Sequence, residues 1–177
     1  MGHIFSAVAF FLLSCAVPGL AEEKPEVGAQ LLDFTLPNLL DSKKEFTLGD
    51  YYGAAKEKKK AVIISFFGSW CKPCLKELPE LEKLWKARKD KGLMIVDVCV
   101  DKMEAGKAKK QIADAKVSFP VIHDRLNIVK DRYGVKMLPR MFLADAEGKI
   151  IKVYFGFTPG IQNELESELD RLLGDTH

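Results

Sequence analysis

The chain has 177 residues, 47% of them hydrophobic, with 27 Lys and Arg against 25 Asp and Glu. That length and composition suit one globular domain with a core of its own plus an appendage, and a net charge of +2 gives no basis for nucleic-acid binding. Four cysteines are too few for a disulfide-stapled scaffold.

The appendage comes first. Residues 1–21 contain no Lys, Arg, Asp or Glu and carry an apolar run with Phe5, Val8, Phe10, Phe11, Leu12 and Leu13, closing on Gly19-Leu20-Ala21. They read as a secretory signal peptide cleaved before Glu22. Leu12-Leu13-Ser14-Cys15 also resembles a bacterial lipoprotein processing site, in which case Cys15 is the lipidated residue and the only tie to a membrane. An uncleaved anchor is the third reading. All three put the domain outside the cytoplasm, in a periplasm-like compartment where disulfides persist. Residues 22–26 form a charged tether, and the domain is expected over 27–177.

Within it, Asp33-Phe34-Thr35-Leu36-Pro37 and Lys44-Glu45-Phe46-Thr47-Leu48 are short β-type runs around a turn-prone stretch, hence an N-terminal hairpin. Residues 56–60 are a charged, solvated loop. Ala61-Val62-Ile63-Ile64-Ser65-Phe66-Phe67 is a continuous apolar run, the pattern of a central strand covered on both faces. It leads into Gly68-Ser69-Trp70-Cys71-Lys72-Pro73-Cys74, after which Leu78, Leu81, Leu84 and Trp85 recur at helical spacing to a stop near Gly92. Pro73 suits a first helical turn, whereas Pro79 falls inside the helix and is expected to kink it.

The chemistry concentrates at that strand-to-helix junction. A thiolate, not a thiol, attacks a disulfide, and the free N–H groups of a helix start favour the anion. Cys71 is therefore the candidate nucleophile, supported by the positive charge of Lys72. Cys74, one turn further in, is placed to resolve a mixed disulfide. Glu77 lies a further turn along, on the same side as the pair.

Residues 93–100 form the next buried strand, so strand, helix and strand make a parallel crossover. A second amphipathic helix is expected over 102–116, a short strand over 119–122 and a short helix over 127–133 ending at Gly134. Two runs split by Ala146-Glu147-Gly148 make an antiparallel hairpin, and Thr158-Pro159 caps a final helix. The expected fold class is α/β, a central mixed sheet flanked by helices.

Taken together, these motifs resemble the thioredoxin superfamily, and more closely its extracytoplasmic TlpA/ResA-like thiol-disulfide oxidoreductases. The likeness covers about residues 27–173 and rests on Trp70-Cys71-Lys72-Pro73-Cys74, on Pro79, on Tyr133-Gly134-Val135-Lys136-Met137-Leu138-Pro139 and on the closing Phe142-Leu143-Ala144-Asp145-Ala146-Glu147-Gly148-Lys149. It implies a thioredoxin-like fold with an N-terminal β-hairpin and a helical insertion. Pro139 is then a cis-proline packed against the cysteines, and Leu138 the point where substrate backbone pairs. Trp70 and Pro73 support the site. Glu77 is a buried acid able to exchange protons with the thiols. In cytoplasmic thioredoxins the acid stands six residues before the first Cys, where this chain has Ser65. Arg140 replaces a common Thr and is a second candidate substrate contact.

The implied activity is exchange with substrate-protein disulfides, in the reducing direction, with apocytochrome c as a frequent family substrate and a membrane thiol donor of the DsbD/CcdA type restoring the dithiol. No cofactor beyond the Cys71–Cys74 redox pair and no metal are expected, since His3, His123, His177 and Cys99 do not cluster in sequence. Three other readings stay open: a disulfide-forming oxidase, a peroxiredoxin-like peroxidase with antioxidant activity, and a non-enzymatic binding module. The Pro-x-x-x-Thr-x-x-Cys pattern usual for a peroxidatic cysteine is absent around Cys71.

Overall fold

The computed structural model describes residues 24–103 and 105–174, so the leader and any cleavage or lipidation site in it lie outside the described residues. Five strands form the central sheet: β3 (Ala61–Phe67), β4 (Leu93–Cys99), β5 (Val121–His123), β6 (Arg140–Asp145) and β7 (Ile150–Phe155), in the order β5-β4-β3-β6-β7. Two others, β1 (Thr35–Pro37) and β2 (Glu45–Thr47), pair antiparallel as a separate hairpin. In the main sheet β3 runs parallel to β4, and β4 to β5, whereas β6 is antiparallel to both β3 and β7. This is the mixed sheet that the resemblance implies, with β3 at its centre.

Strand alternation sorts the core into two layers. Ala61, Ile63 and Phe67 of β3 and Leu93, Ile95 and Cys99 of β4 face one apolar cluster. It is completed by α1 (Lys72–Arg88), α2 (Gly106–Asp114) and α4 (Pro159–Leu173), through Leu78, Leu81, Ile112, Leu165 and Leu169 among others. The intervening residues Val62, Ile64, Phe66, Met94, Val96 and Val98 face the second cluster, with Phe34 and Phe46 from the N-terminal segment and Val129 from α3 (Ile128–Arg132). Tyr133 centres that second layer, edge-on to Phe34 and Phe142, and its hydroxyl donates to the Leu32 carbonyl at 2.7 Å. The two positions that interrupt the first layer's apolar pattern are Ser65 and Asp97, both buried.

Local chemistry sets the element ends. Helix α1 begins at Cys71 as N-cap, runs unbroken through Pro79 and stops before Gly92 at φ +105°. Helix α4 is capped by Thr158, whose Oγ1 accepts from the Ile161 N–H at 3.3 Å, with Pro159 in the first turn. Helix α2 is shorter than its amphipathic pattern predicts. Met103 takes a positive φ of 60° and Ala105 offers no side-chain cap, so the helix begins only at Gly106 and leaves residues 101–103 as a loop beside the cysteines. Strand β5 likewise starts at Val121, after Pro120, whose carbonyl still accepts from the Asp97 N–H.

Candidate active site

The site sits where β3 ends and α1 starts. Cys71 and Cys74 are joined by a disulfide, and the Cys74 N–H points at Cys71 Sγ, 3.2 Å away. Cys71 Sγ thus occupies the place of the side-chain oxygen in an ordinary N-cap, among the donors that α1 leaves free at its first turn. The same N–H is positioned to stabilise negative charge on that sulfur once the disulfide opens. Cys71 is 7% exposed and Cys74 is 1% exposed, so an incoming partner meets Cys71 first.

The loop that presents the pair is clamped. Cys71 N–H closes a turn onto the Gly68 carbonyl, the Ser69 N–H donates to Asp101 Oδ1 at 2.8 Å, and Gln111 Nε2 donates to the Ser69 carbonyl at 3.1 Å. The Trp70 ring lies over Gly68 so closely that a Cβ there would stand 2.8 Å from ring atoms. A bare glycine lets the indole fold back while it stays 60% exposed. Opposite, the Leu138–Pro139 peptide bond is cis, and Leu138 joins Trp70, Cys71, Lys72 and Pro73 in lining a cleft of about 840 Å³.

Behind the cysteines lies a buried acid pair. Glu77, one turn past Cys74, is 2% exposed, and its Oε1 accepts from the Ser65 hydroxyl at 3.0 Å. Ser65 stands in register with Asp97 on the neighbouring strand, and both side chains point to the α1 face. Burial raises the Glu77 carboxyl well above the ordinary range; the nearby Asp97 carboxyl adds to this, and the Ser65 hydrogen bond only partly offsets it. Burial likewise pushes Asp97 up to about 8, against hydrogen bonds from Val98 and Ser65. Glu77 Oε2 and Asp97 Oδ1 accept no hydrogen bond among the described residues. With Asp97 pushed up to about 8, the pair holds at least one proton of its own near neutral pH.

Asp97 is the site residue that sequence reasoning missed. Its signal was a lone acid in the middle of an otherwise apolar strand. Glu77 follows Cys74 by one turn of α1 and is buried against Ser65. Arg140 shares the β6 face of Phe142, away from the cysteine layer, and its guanidinium stacks on Phe155 at 3.4 Å from the ring centre. There it lines a separate hollow with Lys24, Glu26, Lys136 and Met137. Cys99 is a free thiol, fully buried and pushed up by that burial, which makes it a poor nucleophile. His123 Nε2 pairs with the Asp101 carbonyl at 2.8 Å.

Comparison with known proteins agrees with this geometry. Residues 27–153 match the model of the AhpC/TSA family. The thiol-disulfide oxidoreductase ResA of Bacillus thuringiensis is 33% identical over 153 residues, 82% of this chain and 83% of that protein. The chain belongs to the AhpC/TSA family, among its ResA-like thiol-disulfide oxidoreductases. A Geobacillus thermodenitrificans ResA is 35% identical over 73% of the chain and 70% of its own length. Among solved structures, a Chlorobium tepidum protein assigned as the thiol:disulfide interchange protein DsbE superposes with a TM-score of 0.75 at 30% identity, over 85% of this chain and 99% of the other. The thioredoxin domain of a Bacteroides vulgatus thiol-disulfide oxidoreductase gives 0.67 at 27% identity, over 81% and 97%. These solved relatives share the thioredoxin-like fold of this chain.

Proposed function

We propose that the chain reduces disulfides of exported protein substrates. The Cys71 thiolate attacks one substrate sulfur, forming a mixed disulfide and releasing the other substrate sulfur as a thiolate that takes up a proton. Cys74, giving its proton to the buried acid pair, then attacks Cys71 Sγ and frees the second substrate thiol. Two electrons pass to the substrate and the Cys71–Cys74 disulfide is formed. An external dithiol must reduce it again, and a membrane thiol carrier of the DsbD/CcdA kind fits that role. The domain acts in the periplasm, with the haem-binding cysteines of apocytochrome c as the proposed substrate.

The observation that carries the reading is the asymmetry of the pair. Cys71 Sγ sits at the helix cap with an N–H aimed at it, while Cys74 is sealed at 1% exposure, one helical turn before the buried Glu77. The reducing direction is carried over from the family resemblance, and it sets the expected potential nearer thioredoxin, about −270 mV, than DsbA, about −120 mV.

The test is the equilibrium redox potential, with insulin-disulfide reduction by Cys71→Ser and trapping of mixed disulfides by Cys74→Ser. A potential near DsbA would reverse the direction. Insulin reduction that survives Cys71→Ser would sink the mechanism, and peroxide consumption needing Cys71 but not Cys74 would redirect it to a peroxidase.

A further inference from the structure

The cleft in front of Cys71 is strongly one-sided in charge. Of its ten lining residues, Lys72, Lys102, Lys130 and Lys136 are cationic and none is acidic, in a chain whose charges otherwise almost balance. The four come from separate segments: the start of α1, the loop before α2, helix α3, and the loop leading to Pro139. Lys72, Lys102 and Lys136 form no ion pair among the described residues, and Lys130 reaches only the exposed Asp131, which does not line the cleft. Two buried acids next to lining segments are committed to backbone donors, Asp101 to the Ser69 N–H and Asp124 to the Lys130 N–H.

Hydrogen bonding and apolar surface say what shape of partner fits. The backbone groups of Met137 and Leu138 make no backbone hydrogen bond among the described residues, so an extended chain can pair there. Trp70, in the cleft lining, stands 60% exposed, and Met137, next to the cleft-lining Lys136 and Leu138 in the chain, 69%. An extended segment advances about 3.3 Å per residue, so side chains within about three positions of the attacked cysteine come under the lysines, well inside a screening length of about 10 Å at 0.1 M salt.

We propose that the cleft selects an extended polypeptide segment in which the attacked cysteine is flanked by Asp or Glu. The proposal rests on the disulfide-reductase reading above and adds the class of substrate. Cys71 attacks the substrate disulfide as already written, with the electrons supplied by the Cys71–Cys74 dithiol and that dithiol regenerated by an added dithiol such as dithiothreitol. The lysines make no bond in the reaction; they raise the encounter rate and hold the flanking carboxylates.

Three synthetic peptides test it, each with the same intramolecular disulfide and with Glu, Gln or Lys at the flanking positions. Reduction by the dithiol form is followed at low and high salt for the parent chain and for Lys102→Gln/Lys136→Gln. The expected ratio of kcat/KM for the Glu peptide over the Lys peptide is about tenfold or more at low salt, shrinking severalfold at 0.5 M NaCl and in the double variant. Because each ratio is taken within one protein, a general loss of activity in the variant does not mimic the effect. Equal rates on all three peptides would overturn the substrate class while leaving disulfide reduction standing. Failure to reduce even the Gln peptide would overturn both readings. An undiminished ratio in the double variant would remove the lysines from the argument. Glutathione disulfide, a small anionic disulfide, reduced faster than the Glu peptide would overturn the claim that the partner is a polypeptide.

Discussion

The Ser65 hydroxyl donates to Glu77 Oε1 at 3.0 Å, so the side chain found where cytoplasmic thioredoxins carry their acid serves here as the tether for an acid on α1. That hydrogen bond holds Glu77 inward against β3, and its Oε2, with no hydrogen-bond partner among the described residues, is free to hold or pass a proton. Glu77→Gln keeps the shape and the acceptor for Ser65 but cannot transfer a proton. It is expected to lower kcat for disulfide reduction by about tenfold to a hundredfold, the lower end of what a positioned acid or base contributes. The dependence of kcat on pH across the neutral range should flatten in the variant. A Glu77 that merely packed the core would shift the melting temperature and leave the pH profile unchanged.

Asp97 makes a prediction about stability. Its ordinary value is 3.8 and in the fold it rises to about 8, so the folded form holds a proton that the unfolded chain has released. Between about pH 4 and pH 8 unfolding therefore loses a proton, and stability is full below this window and falls as pH rises through it. Glu77, also raised, acts in the same direction. Asp97→Asn carries no charge at any pH. The parent chain should melt lower at pH 9 than at pH 5, and the variant should recover at least about 4 °C at pH 9, given about 2–4 °C per kcal/mol for a domain of this size. Equal melting curves for the two proteins at pH 9 would contradict the assignment.

The fold was legible because its signals are local. The run 61–67 is a strand at those bounds, Thr158 and Pro159 start α4, and Gly148 sits at φ +81° in the β6–β7 turn, where a side chain would collide with Tyr52. The Cys pair and Glu77 were legible for the same reason, since one helix carries all three. Asp97 was not, because its meaning depends on the register that sets it across from Ser65, and an apolar strand pattern does not state its neighbour. The cleft lysines were hidden likewise, spread over four segments that meet only in space. Arg140, a candidate substrate contact from its place after Pro139, lies on the other sheet face, since alternation along β6 puts Met141 with the cysteine layer.

Cys99 is expected to remain inert in the folded protein. It lies on the same strand face as Asp97, fully buried, with burial and nearby acids holding its thiol protonated. In the oxidised chain carrying Cys15→Ala, iodoacetamide should label no thiol under native conditions and one after denaturation. Cys99→Ala should leave the rate of insulin reduction within about twofold, since a buried protonated thiol contributes no nucleophile. Rapid native labelling would show that the strand opens far more readily than its burial allows.

The last prediction concerns the loop that holds Cys71. Asp101 accepts the Ser69 N–H and Gln111 donates to the Ser69 carbonyl, so both backbone groups of one residue are fixed by side chains from the segment after β4. Asp101→Ala leaves a buried N–H unpaired, a loss of about 1–3 kcal/mol, more than the single hydrogen bond would suggest because the donor has no water to turn to. At about 2–4 °C per kcal/mol that is a fall in melting temperature of about 2–12 °C. Gln111→Ala opens a half-buried carbonyl that water can reach, and its cost should be smaller. The functional effect should be separable from a pure stability loss. With the loop released, Cys71 samples positions away from the Cys74 N–H, so the rate of thiolate attack measured with a small disulfide should fall at 10 °C, where both variants are folded. A normal rate at that temperature would mean that the turn from Cys71 onto the Gly68 carbonyl holds the nucleophile without help from Asp101.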